Sequence, residues 1–197
     1  MAVEYLVAGL GNPGDRYRNT RHNLGFHVVE ALGRARGARW REQGGNRRVA
    51  RMALAGRDLL LVEPLTFMNL SGNALRPIVD AESLPPARVL VVCDDIALPL
   101  GQLRLRPGGS DGGHNGLVSV IERLETTGFP RLRMGVGPVP PRVDAAEFVL
   151  AEFLPEEQEA VAEMIGTAAE CVAAWVTTGI DRAMGRYNAR KEPPPEE

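Results

Sequence analysis

The stretch "EYLVAGLGNPG", residues 4–14, decides how this chain is read. Tyr5 to Gly9 is apolar without alternation, the pattern of a short strand covered on both faces. Gly9, Gly11 and Gly14 then give G-x-G-x-x-G, the spacing of a dinucleotide-binding fingerprint. That reading needs a helix opening at the third glycine and an acid ending a second strand about 20 residues on. Gly14 is followed instead by "DRYRNTRHN", which has no apolar helical stripe. The acid at that distance, Glu30, falls inside a predicted helix. The context fails, and no nucleotide cofactor is expected. The glycines read as a sharp turn fixed by Pro13 that aims Asn12 outward.

Working outward, "LGFHVVEALGRARG" has helical periodicity and stops at Gly37. "RRVARMALAGRDLLLVEP" reads as two strands around an Ala55-Gly56 turn. "LTFMNLSGNALRPIVDAESL" starts as a loop and becomes a helix capped by Ser71 and kinked at Pro77. "RVLVVCDD", "GQLRLRP" and "RLRMGVG" are further strands, and "LVSVIERLE" is a helix. "EEQEAVAEMIGTAAECVAAWVTTGIDRAMGRYN" is a long amphipathic helix broken near Gly179. The alternation predicts a single α/β domain over residues 1–190, a mixed sheet with helices on both faces. "KEPPPEE", residues 191–197, is expected to be a disordered tail.

The 197 residues are 44% apolar and 24% charged, ordinary for a globular chain. No apolar run approaches the ~20 residues that span a bilayer, and no membrane partner is expected. The first residues lack a basic leader and a cleavage pattern. Cys93 and Cys171 form no disulfide or metal spacing, so a reduced, cytoplasmic setting is expected. Residues 1–57 carry +7, residues 58–143 carry −1 and residues 144–197 carry −8. A basic front and an acidic rear fit an anionic partner docking on one face.

The polar residues at element ends are Asn12, His22, Asn69, Asp94, His114 and Asn115. In an open α/β sheet, the carboxyl ends of the strands form the crevice where ligands bind. His27, among "FHVV", reads as structural, and no carboxylate or histidine spacing supports a metal. Cys93 follows a buried run and behaves as a small hydrophobe rather than a nucleophile. A histidine with a carboxylate and no other nucleophile points to water. Asp94 would hold one nitrogen of His22 while the other takes a proton from water, a step worth roughly 10²–10⁴-fold.

"GLGNPG-x-x-Y-x-x-TRHNLG", "TFMNLSG", "DDIALPLG", "GGSDGGHNGL" and "RLRMGVG" occur in order, and together they resemble bacterial peptidyl-tRNA hydrolases over roughly residues 3–188. The resemblance implies a monomeric α/β enzyme without a required cofactor. It would cleave the ester joining a peptide to the 3′ end of tRNA. It implies His22 as the base, Asp94 as its support, and Asn12 as the group that tells an acylated amine from a free one. Tyr17, Phe67, Asn69 and Asn115 would line the site, with Met68 and His114 beside them. Arg106 and Arg133 match a basic clamp on the tRNA 5′ phosphate. Arg106 stands where many relatives have Lys, Cys93-Asp94-Asp95 where "HDE" is common, and Asp111 where His is common. The partner so implied is the acceptor end of peptidyl-tRNA, not DNA. A second reading, an RNA-binding protein of this fold without catalysis, rests on fold not fixing function. The presence of both His22 and Asp94 weighs against it.

Overall fold

A computed structural model describes residues 2–188. The expected tail, 191–197, lies outside the described residues. The strands are β1 (Tyr5–Gly9), β2 (Trp40–Gln43), β3 (Arg47–Leu54), β4 (Arg57–Pro64), β5 (Val89–Pro99), β6 (Leu103–Arg106) and β7 (Arg131–Gly137). They form one seven-stranded sheet in the order β2-β3-β4-β1-β5-β7-β6. β1 pairs in parallel with β4 and β5, and β5 with β7. The β2–β3, β3–β4 and β6–β7 pairs are antiparallel, so the sheet is mixed as expected.

The unbroken apolar run of β1 follows from its central place. Leu6, Val7 and Ala8 are all fully buried. Val7, Leu61, Leu90 and Leu132 face the layer built from α1 (Leu24–Ala35) and α5 (Gln158–Thr178). Leu6, Ala8, Val62 and Val91 face the layer of α2 (Ser71–Ala81) and α3 (Asn115–Leu124). Two further helices are α4 (Ala145–Leu150) and α6 (Ile180–Tyr187). The C-terminal helix breaks where expected, at Gly179, whose φ is 85°. One helical stretch, Pro155–Thr178, is long and apolar enough to cross a membrane by length and composition. Its Val161, Met164, Ala168, Cys171, Val172 and Trp175 are buried in the core instead.

Several local expectations are corrected. Ser71 is the first residue of α2 rather than its cap, and its hydroxyl donates to the Met68 carbonyl at 2.8 Å. Pro77 lies inside this helix, as expected, and the helix runs on to Ala81. The stretch after Gly14 is not wholly irregular, since Asp15–Tyr17 and Arg21–Asn23 form single 3-10 turns. β2 and α4 were not legible, being four and six residues long with weak patterning.

The opening glycines serve packing and turning. A Cβ on Gly9 would sit 2.0 Å from the Gly25 carbonyl oxygen, so the two glycines let the start of α1 rest on the end of β1. Gly14 adopts φ 101°, which favours glycine.

Glu63 breaks the apolar character of β4. It is 1% exposed, with one oxygen 3.1 Å from Arg48 and the other without a hydrogen-bond partner. Burial pushes its carboxyl up to about 7, and the Arg48 charge opposes this only in part. The folded protein therefore holds this proton more tightly than the unfolded chain. Stability contributed here is present at low pH and declines between about 4.5 and about 7. Glu63→Gln is expected to remove a pH-dependent loss on the order of 3 kcal/mol. Urea unfolding of both proteins at pH 5 and pH 8 measures it, and an equal pH dependence in the two would refute it.

Candidate active site

The end of β1, the middle of β5 and the start of α3 meet at one cleft of about 650 Å³. Of the residues singled out in the sequence, Asn12, His22, Phe67, Met68, Asn69, Asp94, His114 and Asn115 line it, and so does Arg133, which was expected on a phosphate clamp. At its floor is Asp94, 2% exposed on β5. One of its oxygens, Oδ1, faces Nδ1 of His22 at 2.8 Å and Nε2 of His114 at 3.0 Å. Burial alone would raise this carboxyl. The electrostatic attraction of the His114 and His22 imidazoles and the hydrogen bonds from both outweigh it and hold Asp94 well below the usual carboxylate range.

The hydrogen bonds assign the tautomers. His114 caps α3, and its Nδ1 accepts from the amides of Gly116 and Leu117 at 3.1 and 3.3 Å. Its ring proton is therefore on Nε2, where it is donated to Asp94. His22 donates from Nδ1 to the same oxygen, which leaves its Nε2 lone pair free. His22, Asp94 and His114 bring one ligand atom each within 4.8 Å of one another, a grouping that raises a metal site. The capping argues against that chemistry. With Nδ1 committed as an acceptor, a metal on Nε2 would demand an imidazolate.

Asn12 is held from two sides. Its Oδ1 accepts from the Met68 amide at 2.8 Å. Asn23 brackets its backbone, accepting from Asn12 N at 2.9 Å and donating to Asn12 O at 3.0 Å. With its oxygen committed, Asn12 offers the cleft the donor Nδ2. One residue from His22, Asn23 thus ties the turn bearing Asn12 to the turn bearing His22. The sequence reading passed over Asn23, although "RHN" placed it beside the base.

Two buried arginines were also missed. Arg21 lies between the rings of Phe148 and Phe153, pairs with Glu157 at 2.6 Å and donates to the carbonyls of Ala151 and Glu152. It fastens the His22 turn to the segment around α4, whose Asp144, Ala145, Ala146, Val149 and Leu150 wall the cleft. Arg131 donates to the carbonyls of Gly109, Ser110, Thr127 and Phe129 and so shapes the glycine loop before His114. Neither had a signal, because a buried arginine and a surface arginine look alike in sequence.

The family described as peptidyl-tRNA hydrolase matches residues 6–195. The chain belongs to this family. It is 45% identical to a peptidyl-tRNA hydrolase of Chloroflexus aggregans over 185 residues, 93% of this chain and 98% of that one. It is 45% identical to one of Gloeobacter violaceus, covering 94% of each. A solved peptidyl-tRNA hydrolase of Acinetobacter baumannii superposes with TM-score 0.89 at 33% identity, covering 96% of both chains. A uridine phosphorylase of Vibrio fischeri, 12% identical at TM-score 0.54, shares the fold alone.

The residues that the peptidyl-tRNA hydrolase motifs single out do not all enter the cleft. Tyr17 is outside its lining, with its hydroxyl accepting from Arg16 and its ring under that guanidinium. Arg106 is exposed at the end of β6, also outside the lining. Arg133 reaches the cleft and pairs with Asp95 at 3.1 Å. Asp111 turns inward on its own loop. Its carboxylate accepts from the Gly113 amide at 2.8 Å, the main cause of its lowered carboxyl pKa. Cys93 is fully buried within β5, and burial pushes its thiol far up, which suits packing and not attack.

Proposed function

We propose that this chain hydrolyses the ester between a peptide, or an N-blocked amino acid, and the 3′ end of tRNA. His22 acts as general base on water. The observation carrying this reading is that His22 lines the cleft with its Nδ1–H held by an ionised, buried Asp94 and its Nε2 without a hydrogen bond among the described residues. His22 would take a proton from water as oxygen attacks the ester carbonyl. The imidazolium, stabilised by Asp94, would return that proton to the departing 3′ oxygen. His114 is excluded as the base, because both its nitrogens are committed. Phe67, 54% exposed at the rim, offers a ring on which the terminal base can stack. Asn69 and Asn115 are exposed at the cleft and make no intramolecular side-chain hydrogen bond among the described residues, so their amides are open to substrate. Tyr17 would contact the substrate from beyond the cleft lining.

Asn12 supports the choice of a blocked substrate. Its Nδ2–H can donate to the acyl carbonyl of a blocked amine, whereas a free ammonium presents only donors. Arg106 and Arg133 would hold the 5′ phosphate of the acceptor stem. We place the enzyme in the cytoplasm as a monomer, with no membrane or DNA partner and no cofactor.

Release of the amino acid from N-acetyl-aminoacyl-tRNA, with the unblocked ester resistant, tests the reading. Tight tRNA binding without release would replace it with the non-catalytic RNA-binding alternative. Asn12→Asp keeps the acceptor for the Met68 amide and replaces the donor by a carboxylate. It is expected to cut the preference for blocked over unblocked substrate by about tenfold, the scale of one hydrogen bond and its unsatisfied partner. Unchanged selectivity would remove Asn12 from the discrimination.

A further inference from the structure

β6 is the outermost strand of the sheet and only four residues long. Its outer edge would leave the Leu105 N–H and C=O unpaired. Asn188, immediately after α6, closes both. Its Oδ1 accepts from the Leu105 amide at 2.7 Å, and its Nδ2 donates to the Leu105 carbonyl at 3.0 Å. A primary amide thus stands where the peptide of a further strand would stand. Buried Ala183 and core-packed Met184 anchor α6 against the same layer.

The strand so closed carries charge. Leu105 is buried in the α5 layer, so its neighbours Arg104 and Arg106 point to the opposite face. The register sets Arg104 beside Arg133 and Arg106 beside Arg131, four arginines on one face of the β6–β7 ribbon. Arg131 is fixed by four carbonyls, and Arg133 by Asp95 and the Asp111 carbonyl. Arg104 and Arg106 have no side-chain partner among the described residues, so the backbone alone aims them. Beyond Arg106 the chain is next held at Gly109, whose amide donates to the Thr127 carbonyl at 3.2 Å and whose carbonyl accepts from Arg131.

We propose that Asn188 is a positioning residue of the tRNA clamp. By pairing with Leu105, it fixes the strand end that presents Arg106 to the 5′ phosphate. This rests on the phosphate-binding reading of Arg106 given above. Asn188 lies far along the chain from every motif of the site, and it touches no substrate. Its effect is on the orientation of a cation, so it acts on substrate capture and not on the chemical step.

The test uses two substrates, N-acetyl-aminoacyl-tRNA and a blocked aminoacyl-CCA trinucleotide without the 5′ phosphate. Wild type, Arg106→Ala, Asn188→Ala, Asn188→Asp and the Arg106→Ala/Asn188→Ala double variant are compared, with thermal melts as the folding control. Asn188→Ala is expected to raise KM for the tRNA substrate about fivefold at constant kcat, the scale of losing a pair of exposed-edge hydrogen bonds. Kinetics on the trinucleotide should stay at wild-type values. Asn188→Asp keeps the side-chain shape, loses the donor and should behave alike. In the Arg106→Ala background, Asn188→Ala should add nothing. A raised KM in Arg106→Ala with none in either Asn188 variant would overturn the proposal, as would equal losses on both substrates. If Arg106→Ala itself leaves KM and the salt dependence of tRNA binding unchanged, the clamp reading falls and the role of Asn188 falls with it.

Discussion

His22→Ala is expected to lower turnover by ~10²–10⁴-fold while tRNA affinity is retained. The expectation follows from what the side chain touches. Its Nδ1 meets Asp94, its ring lies 4.9 Å from that of His114, and the residue lines the cleft. Removing it leaves His114 donating to Asp94 and capping α3, so the floor of the site stays assembled. The cations proposed to hold the RNA, Arg106 and Arg133, belong to β6 and β7, away from the turn that carries His22. Single-turnover release from N-acetyl-aminoacyl-tRNA reads the chemical step, and anisotropy of labelled, deacylated tRNA reads binding. A variant that keeps its rate within tenfold of wild type would place the base elsewhere. Parallel loss of binding and rate would make His22 a structural residue.

The parts of this molecule that sequence reveals are those where a residue type has one dominant use. The apolar runs within β1, β4 and β5 mark strands covered on both faces, because only a sheet with helices on both sides tolerates them. Gly14 and the polar run after it argued against the helix that a nucleotide site would need, and the structure places a 3-10 turn, Asp15–Tyr17, there. Several cleft residues were legible because they sit where strands end, and the family resemblance then suggested the role proposed for Asn12. What escaped has ambiguous chemistry in one dimension. Arg21 and Arg131 are buried and bind carbonyls, yet nothing distinguishes them from Arg34 or Arg36 in the string. Asn188 closes a sheet edge 83 residues away, a pairing no local pattern announces. The direction of each hydrogen bond was equally hidden. The orientation of Asn12 needed the Met68 amide, and the tautomer of His114 needed the first turn of α3.

That tautomer makes Asp94→Asn informative, because the substitution separates charge from geometry. His114 carries its proton on Nε2 for reasons outside the pair, namely the two α3 amides on its Nδ1. It therefore demands an acceptor at the Oδ1 position. The substituted amide satisfies it by placing its oxygen there, and that oxygen still receives Nδ1–H of His22. The base keeps its tautomer and its aim. What disappears is the negative charge that stabilises the imidazolium in the transition state. In a buried site, one charge at this distance supports a loss on the order of 10²-fold in kcat. Asp94→Ala removes charge and acceptor together and should cost roughly ten times more, with the His22 ring free to turn. The pH–rate profile carries the distinguishing sign. Wild-type Asp94 is ionised throughout the working range, its carboxyl being held low by the two imidazoles against the opposing effect of burial. It therefore stands ionised opposite the His22 ring across the acidic limb of kcat/KM. Without the carboxylate, the imidazolium loses its opposite charge, and the limb moves to lower pH. A slow Asp94→Asn enzyme with its acidic limb in the wild-type position would show that Asp94 only orients His22. An unimpaired one would remove the pair from catalysis altogether.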